Sequence, residues 1–207
     1  MSKTSSPTTS LREACVLAAR EVIAESGVEG LSMRDVARTL GISHQAPYRH
    51  FESRDHLLAE VMRRCFADFA AYLGVQTSGQ EGDAKLEAMG HAYLDYAQHK
   101  PLEYRLMFGT PWPEPAQHPE LVEHAVRAFN LLRDTLRALP GAQHQPSGHA
   151  DHQAMFIWSA LHGMASISQA HVMQHLQLAP GVEVGLRADL MARMALGLGY
   201  NSRSTGE

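Results

Sequence analysis

The residues best equipped to do chemistry lie in one run, Ser43 to His50, with Ser32, Arg34 and Arg54 flanking it. Gln45 can pair bidentately with N6 and N7 of adenine, and the Ala46 methyl can touch the methyl of thymine. With His44 they form a candidate base-reading set. Tyr48 and His50 can donate to phosphate oxygens, and Arg34, Arg49 and Arg54 add positive charge. Contacts of that second kind fix register without reading sequence. Ser32 and Ser43 stand at two expected helix starts, where a hydroxyl and free backbone N–H groups suit an anion. The chemistry on offer is recognition of duplex DNA.

Histidine offers a second possibility. Ten of the 13 histidines lie beyond residue 65. His171 and His175 are four apart, and Asp151, His152 and His162 share the same expected helix. Zinc needs three or four converging ligands, and one helix supplies two good ones, with no cysteine nearby. Surface or capping histidines account for the pattern, and no metal or cofactor is called for. His162, four residues after Trp158, is a separate case. The pair faces one way and either lines a small-molecule pocket with Phe108, Trp112 and Met155 or is a hydrogen-bonded core histidine. Cys15 and Cys65 are the only cysteines, too few for a disulfide framework, and a reducing cytoplasm is expected. Cys65 reads as inert core or as a redox switch. No nucleophile–base pair, phosphate-cradling glycine loop or HExxH site is visible, so an enzyme is not expected.

Positioning these groups requires helices. Ser32 caps a short helix on which Val36, Ala37 and Leu40 share a face, and Gly41 ends it. Ser43 then caps a second helix running to Phe51, with Pro47 in the first turn, where proline is tolerated. Helix, tight turn and helix is the arrangement that lays a second helix in the major groove. Before it, residues 10–26 form a helix opened by a Ser10–Glu13 capping box; after it, Ser53 caps a helix over 54–72. Residues 74–83, with three glycines, are a flexible break. Helices follow over 84–99, 101–108, 120–139, 151–176 and 182–198, separated by the four-proline stretch 110–119 and the loop 140–149. No strand-period alternation occurs. The fold expected is all-α with about nine helices.

The net charge of −4 does not advertise nucleic-acid binding. Its distribution is more telling: residues 1–65 carry a net +1 and the remainder −5. No apolar run reaches about 18 residues, so no transmembrane span is expected. The polar start, residues 1–9, reads as a disordered arm rather than a signal peptide, and residues 201–207 as a disordered tail.

Residues 10–70 resemble the DNA-binding domain of the TetR family of bacterial transcriptional regulators. The resemblance rests on Leu31-Ser32-Met33-Arg34, Val36-Ala37, Leu40-Gly41-Ile42-Ser43, Tyr48-Arg49-His50-Phe51 and Ser53-Arg54-Asp55-His56-Leu57-Leu58. Ala46-Pro47 stands where Thr-Leu is frequent in the family, and Arg54 where Lys is usual. Residues 101–109 and Trp158-Ser159-Ala160-Leu161-His162-Gly163 resemble a subclass with a Trp–His–Gly motif in its C-terminal domain. The resemblance implies an effector-binding and dimerisation domain over 71–200. It also implies a homodimer formed by the last two helices (about 151–176 and 182–198), an operator partner and an unknown small-molecule effector. A ligand-responsive repressor is the expected function, with the helix over 54–72 as relay. The alternative is a metal- or small-molecule-binding module without operator-specific DNA binding.

Overall fold

The computed structural model describes residues 10–198, and these contain eight α-helices and no strand. The arm and tail expected at 1–9 and 201–207 lie outside the described residues. Helix α1 spans Leu11–Ser26. Ser10 caps it by accepting from the Glu13 N–H at 3.2 Å, but the Glu13 carboxylate takes Arg64 at 2.6 Å instead of closing a capping box. Helix α2, Met33–Thr39, is capped by Ser32, which accepts from the Asp35 N–H at 3.1 Å. It closes in a Schellman motif: the Ile42 N–H donates to Ala37 O and the Gly41 N–H to Arg38 O. Gly41 sits at φ 65°, a left-handed conformation that L side chains rarely adopt, and this is why glycine stands there.

Beyond α2 the structure departs from expectation. Residues 43–51 do not form an α-helix; a single 3-10 turn, Pro47–Arg49, stands in its place. The reason is local. Pro47 has no N–H, so the bond that would run from residue 47 to Ser43 O cannot form. Ser43 O accepts from Ala46 instead, at 2.9 Å, and Ala46 O from Arg49, at 3.2 Å.

Helix α3, Arg54–Gln76, runs longer than expected, through Gly74. Then come α4, Gly82–His99, and α5, Pro101–Phe108, the latter opened by proline. Helix α6 is Pro119–Arg137, α7 is His149–Gln169 and α8 is Val182–Gly197. Helix α7 stops seven residues early. His171 takes a left-handed φ of 53° and Val172–His175 is a 3-10 turn, so His171 and His175 do not share a helical face as the spacing suggested.

The chain divides into two compact units. The first holds the residues through Asp68 together with Leu102–Val126, and the second holds Phe69–Pro101 and the chain from Arg127 on. The sequence placed one boundary near residue 70 and everything after it in one domain. Side chains inside the first unit explain the difference. Arg20 pairs with Glu103. Phe66 packs edge-on against Phe108 and Trp112, with centroids at 5.7 and 5.4 Å, and Arg63 Nη1 meets His124 Nε2 at 3.1 Å. These contacts recruit α5, the proline-rich stretch and the start of α6 to the N-terminal unit. Its core is Cys15, Val16, Ile23, Leu31, Val36, Leu57, Val61, Met62 and Leu106, all buried.

In the second unit α4 packs on α7. Gln169 donates to Ala97 O at 2.8 Å. Arg187 ties α8 to α4, donating to His91 Nδ1, His91 O and Asp95 at 2.9, 2.6 and 2.7 Å. Gly90 faces Met191 so closely that a Cβ there would meet its sulfur at 2.8 Å.

Candidate nucleic-acid interface

The first unit presents the expected reading set as follows. His44 and Gln45 sit in the turn that precedes the 3-10 segment, and both are exposed. Ser43 is exposed and Ala46 half-buried. Tyr48, Arg49 and His50 are exposed, Tyr48 by 50 %. Arg34 is exposed on α2, and neither it nor Arg49 forms an ion pair among the described residues. Pro47 and Phe51 are buried and anchor the segment to the head, where α1 and α2 pack against it. A rigid buried anchor under an exposed polar turn is suited to presenting side chains to a groove.

Two expected contacts are otherwise engaged. The Ser32 hydroxyl accepts from the Asp35 N–H and donates to the Asp35 carboxylate, so it is first a helix cap. Arg54 is more thoroughly committed. Its Nε donates to Leu31 O at 2.9 Å, its Nη2 to Val28 O at 2.6 Å, and its Nη1 to Asp55 at 3.0 Å. The guanidinium thus clamps the start of α3 to the connector between α1 and α2. Sequence position suggested a phosphate contact; no local signal announced that two carbonyls lie within reach of its fork.

Sequence reading also missed the charge network behind the head. Glu60, 6 % exposed, accepts from Arg63 at 2.7 and 3.0 Å, from Arg64 at 2.9 Å and from Arg12 at 3.0 Å. Burial works to raise its pKa, but the three arginines outweigh it and hold the carboxyl down at about 2. The Arg12 guanidinium also lies over the Phe51 ring, 5.2 Å from its centroid, which links the network to the anchor of the reading turn. Cys65 is buried and its thiol is pushed up to about 12 by that burial; this favours inert core over a redox switch.

Next to the turn, the His56 and His118 rings meet edge to face at 4.8 Å. Burial, then the neighbouring His56, lower the His118 pKa, against a smaller opposing pull from Asp55. Burial likewise lowers that of His162 in the second unit. Above about pH 6.5, the ordinary histidine value, these groups are neutral in both folded and unfolded chains and pH has no hold on them. Below it the unfolded chain takes up protons first, so stability falls with pH until the depressed folded values are passed. Melting temperature should therefore drop between pH 7.5 and 5.5, and His118→Asn should flatten part of that slope. An unchanged slope in the variant would remove His118 from the account.

The expected ligand residues divide between the units. Phe108 and Trp112 belong to the first, where Trp112 Nε1 donates to Met107 O at 3.0 Å. Trp158 and His162 belong to the second. There the Tyr93 hydroxyl accepts from Trp158 Nε1 at 3.2 Å and meets His162 Nδ1 at 3.3 Å, and Phe129 stacks edge-on against Trp158 at 5.8 Å. His162 is thus a hydrogen-bonded, half-buried histidine. Met155 is exposed, in company with the other outward apolar residues of α7. Among the described residues no helix is long and apolar enough to cross a membrane.

Two family models match the chain. "Bacterial regulatory proteins, tetR family" covers residues 16–61, and "Tetracyclin repressor-like, C-terminal domain" covers 86–188. An uncharacterized HTH-type transcriptional regulator of Mycobacterium tuberculosis is 26% identical over 90% of this chain and 81% of its own length. A Rhodococcus sp. RHA1 protein of unknown function superposes with a TM-score of 0.75 at 27% identity, covering 95% of this chain and 99% of that one. The transcriptional regulator FadR from Bacillus subtilis, solved with stearoyl-CoA, gives 0.66 at 16% identity, with 89% and 97% covered; at that identity the likeness is one of fold.

Proposed function

Because this chain belongs to the TetR family of bacterial regulatory proteins, and so is a DNA-binding transcriptional regulator, we propose that it is a dimeric repressor. It binds a near-palindromic operator in the cytoplasm, is released by a small molecule, and catalyses no reaction. One observation carries the DNA-binding part: an exposed His44–Gln45 turn, flanked by Tyr48, Arg49 and Arg34 and held on a buried Pro47–Phe51 anchor. His44, Gln45 and Ala46 read base edges; Tyr48, Arg49, His50, Arg34 and the Ser32 end of α2 hold phosphates. Arg54 acts from behind, as a clamp.

The dimer forms through α7 and α8. Met155, Phe156 and Ile167 on α7 and Val184 and Leu196 on α8 are exposed, Val184 by 91 % and Leu196 by 63 %. Apolar residues turned outward on two consecutive helices suit a bundle with a second copy. A two-fold dimer sets its reading turns about one helical turn of DNA apart, ~34–36 Å. The effector binds in the second unit near the Tyr93, Trp158 and His162 cluster, and α3, which contributes to both units, carries the signal. A coupling of about 1–3 kcal/mol is enough for a 5–150-fold change in operator affinity.

Selection of bound sequences from random duplex DNA tests the function, with sedimentation of the free protein alongside. A two-fold-symmetric consensus and a dimer mass are expected. A featureless pool, with binding equal on all sequences, would leave a ligand-binding module without an operator. Fatty acyl-CoA thioesters, the class seen in the FadR complex, are a first set to screen for release. Gln45→Ala should cost about 1–3 kcal/mol at one base pair per half-site and relax the preference there. Equal losses on the operator and on random DNA would assign Gln45 to the backbone instead.

A further inference from the structure

We propose that Pro47 is a specificity-determining residue. By holding the recognition segment as a turn plus one 3-10 turn, it sets which side chains face the bases together. The inference rests on the operator-reading role given above.

In an α-helix over residues 44–50, a rotation of about 100° per residue would stack His44 on Tyr48 and Gln45 on Arg49. Base-reading and phosphate-holding groups would then share one continuous surface. The chain does something else. Without an N–H at Pro47, Ser43 O accepts from Ala46, whose backbone is already helical (φ −63°, ψ −41°), and the 3-10 turn itself starts at residue 47. Within a 3-10 turn it is residues i and i+3 that eclipse. Pro47 O then accepts from both His50 and Phe51, at 3.0 and 3.1 Å, which returns the chain to the buried Phe51.

The outcome is two separately aimed groups. His44 and Gln45 project from a turn; Tyr48 and Arg49 project from the 3-10 segment that follows, and His50 from just beyond its end. Pro47 itself is buried and has no donor to offer DNA, so its influence is exerted through the geometry of its neighbours. Sequence is read where a side chain's polar end meets a base edge, whereas phosphate contacts carry no sequence information. A change at Pro47 therefore re-aims the readers more than it weakens the grip.

The test uses the full-length dimer and two variants. Pro47→Leu restores the N–H with a larger apolar side chain and Pro47→Ala with a smaller one, so a change common to both follows from the N–H rather than from volume. Each is put through selection on random duplex DNA, then titrated against its own consensus and the wild-type one. Both variants should choose a consensus that differs at the base pairs under His44 and Gln45. Relative preference between the two sites should shift by about tenfold or more, a larger change than the one in affinity for random DNA. An identical consensus with a uniform loss would overturn the proposal.

A second measurement needs no variant. With the wild-type protein on its selected operator, NMR chemical shifts of Ser43, His44 and Gln45 should remain those of a turn. Helical shifts across 43–49 would overturn the proposal even if neither variant folds. Failure of the wild-type selection itself would instead strike at the operator-reading role, so the two failures are distinguishable.

Discussion

Glu60→Ala should lower the melting temperature at pH 7 by about 10 °C. The carboxylate is 6 % exposed and receives hydrogen bonds from Arg12, Arg63 and Arg64. Removing it leaves three guanidiniums facing one another without their common partner. Breaking a buried ion pair by deleting one member costs about 3–5 kcal/mol. Arg12 is nearly half exposed, so solvent shields part of the loss and about 3 kcal/mol is the expected figure. For a chain of this size each kcal/mol moves the midpoint by roughly 2–4 °C.

The acid dependence gives a second check. Held at about 2, the folded-state value lies below the ordinary carboxylate range. The stabilisation is therefore full above the unfolded pKa, near 4.5, and is lost as pH falls through about 2. The stability gap between wild type and Glu60→Gln should be wide at pH 6 and narrow steadily toward pH 2, read from denaturant melts. A variant melting within a couple of degrees of wild type at pH 7 would show that the network contributes little.

Arg54→Ala should cost about 2 kcal/mol of stability and weaken operator binding about tenfold, yet leave the salt dependence of binding where it was. The stability figure follows from two charge-assisted hydrogen bonds, to Val28 O and Leu31 O, each in the range of about 1.5–3 kcal/mol, reduced because the side chain is 37% exposed. The binding loss is indirect. The clamped connector leads into Ser32 and α2, so releasing it lets Arg34 and the reading turn drift. Loss of a true phosphate contact would cut the slope of log affinity against log salt by about 0.9. Arg54→Lys sharpens the distinction. Lysine keeps the charge but lacks a planar fork able to reach two carbonyls, so it should behave like alanine. Full rescue by lysine, or a reduced slope in Arg54→Ala, would return Arg54 to the phosphate backbone.

The helices were legible because their causes are local. Ser10, Ser32 and Ser53 announced starts, Gly27 and Gly41 announced ends, and apolar residues at helical spacing filled the stretches between. Two of the misjudged elements were also local, and their causes were present in the sequence. Pro47 was weighed as tolerable at a helix start, when its missing N–H removes the bond that would have begun the helix. His171 was read through its spacing to His175, when a histidine accepts a left-handed backbone more readily than most residues. The residues proposed to read bases were visible as residue types; in the structure His44 and Gln45 are exposed and Ala46 is half-buried.

Sequence by itself determined the all-helical content, the helix-turn-helix entry and the family, because caps, prolines, glycines and periodicity act within a few residues of one another. Tertiary structure alone decided where the guanidiniums go. Arg54 spans 26 residues to Val28, Arg12 spans 48 to Glu60, and Arg20 spans 83 to Glu103. It also decided that Leu102–Val126 joins the N-terminal unit. A charged side chain carries no mark of its distant partner; burial forces the pairing, since a guanidinium or carboxylate taken out of water must find a counter-charge or a carbonyl, and only the folded chain determines which lies within reach.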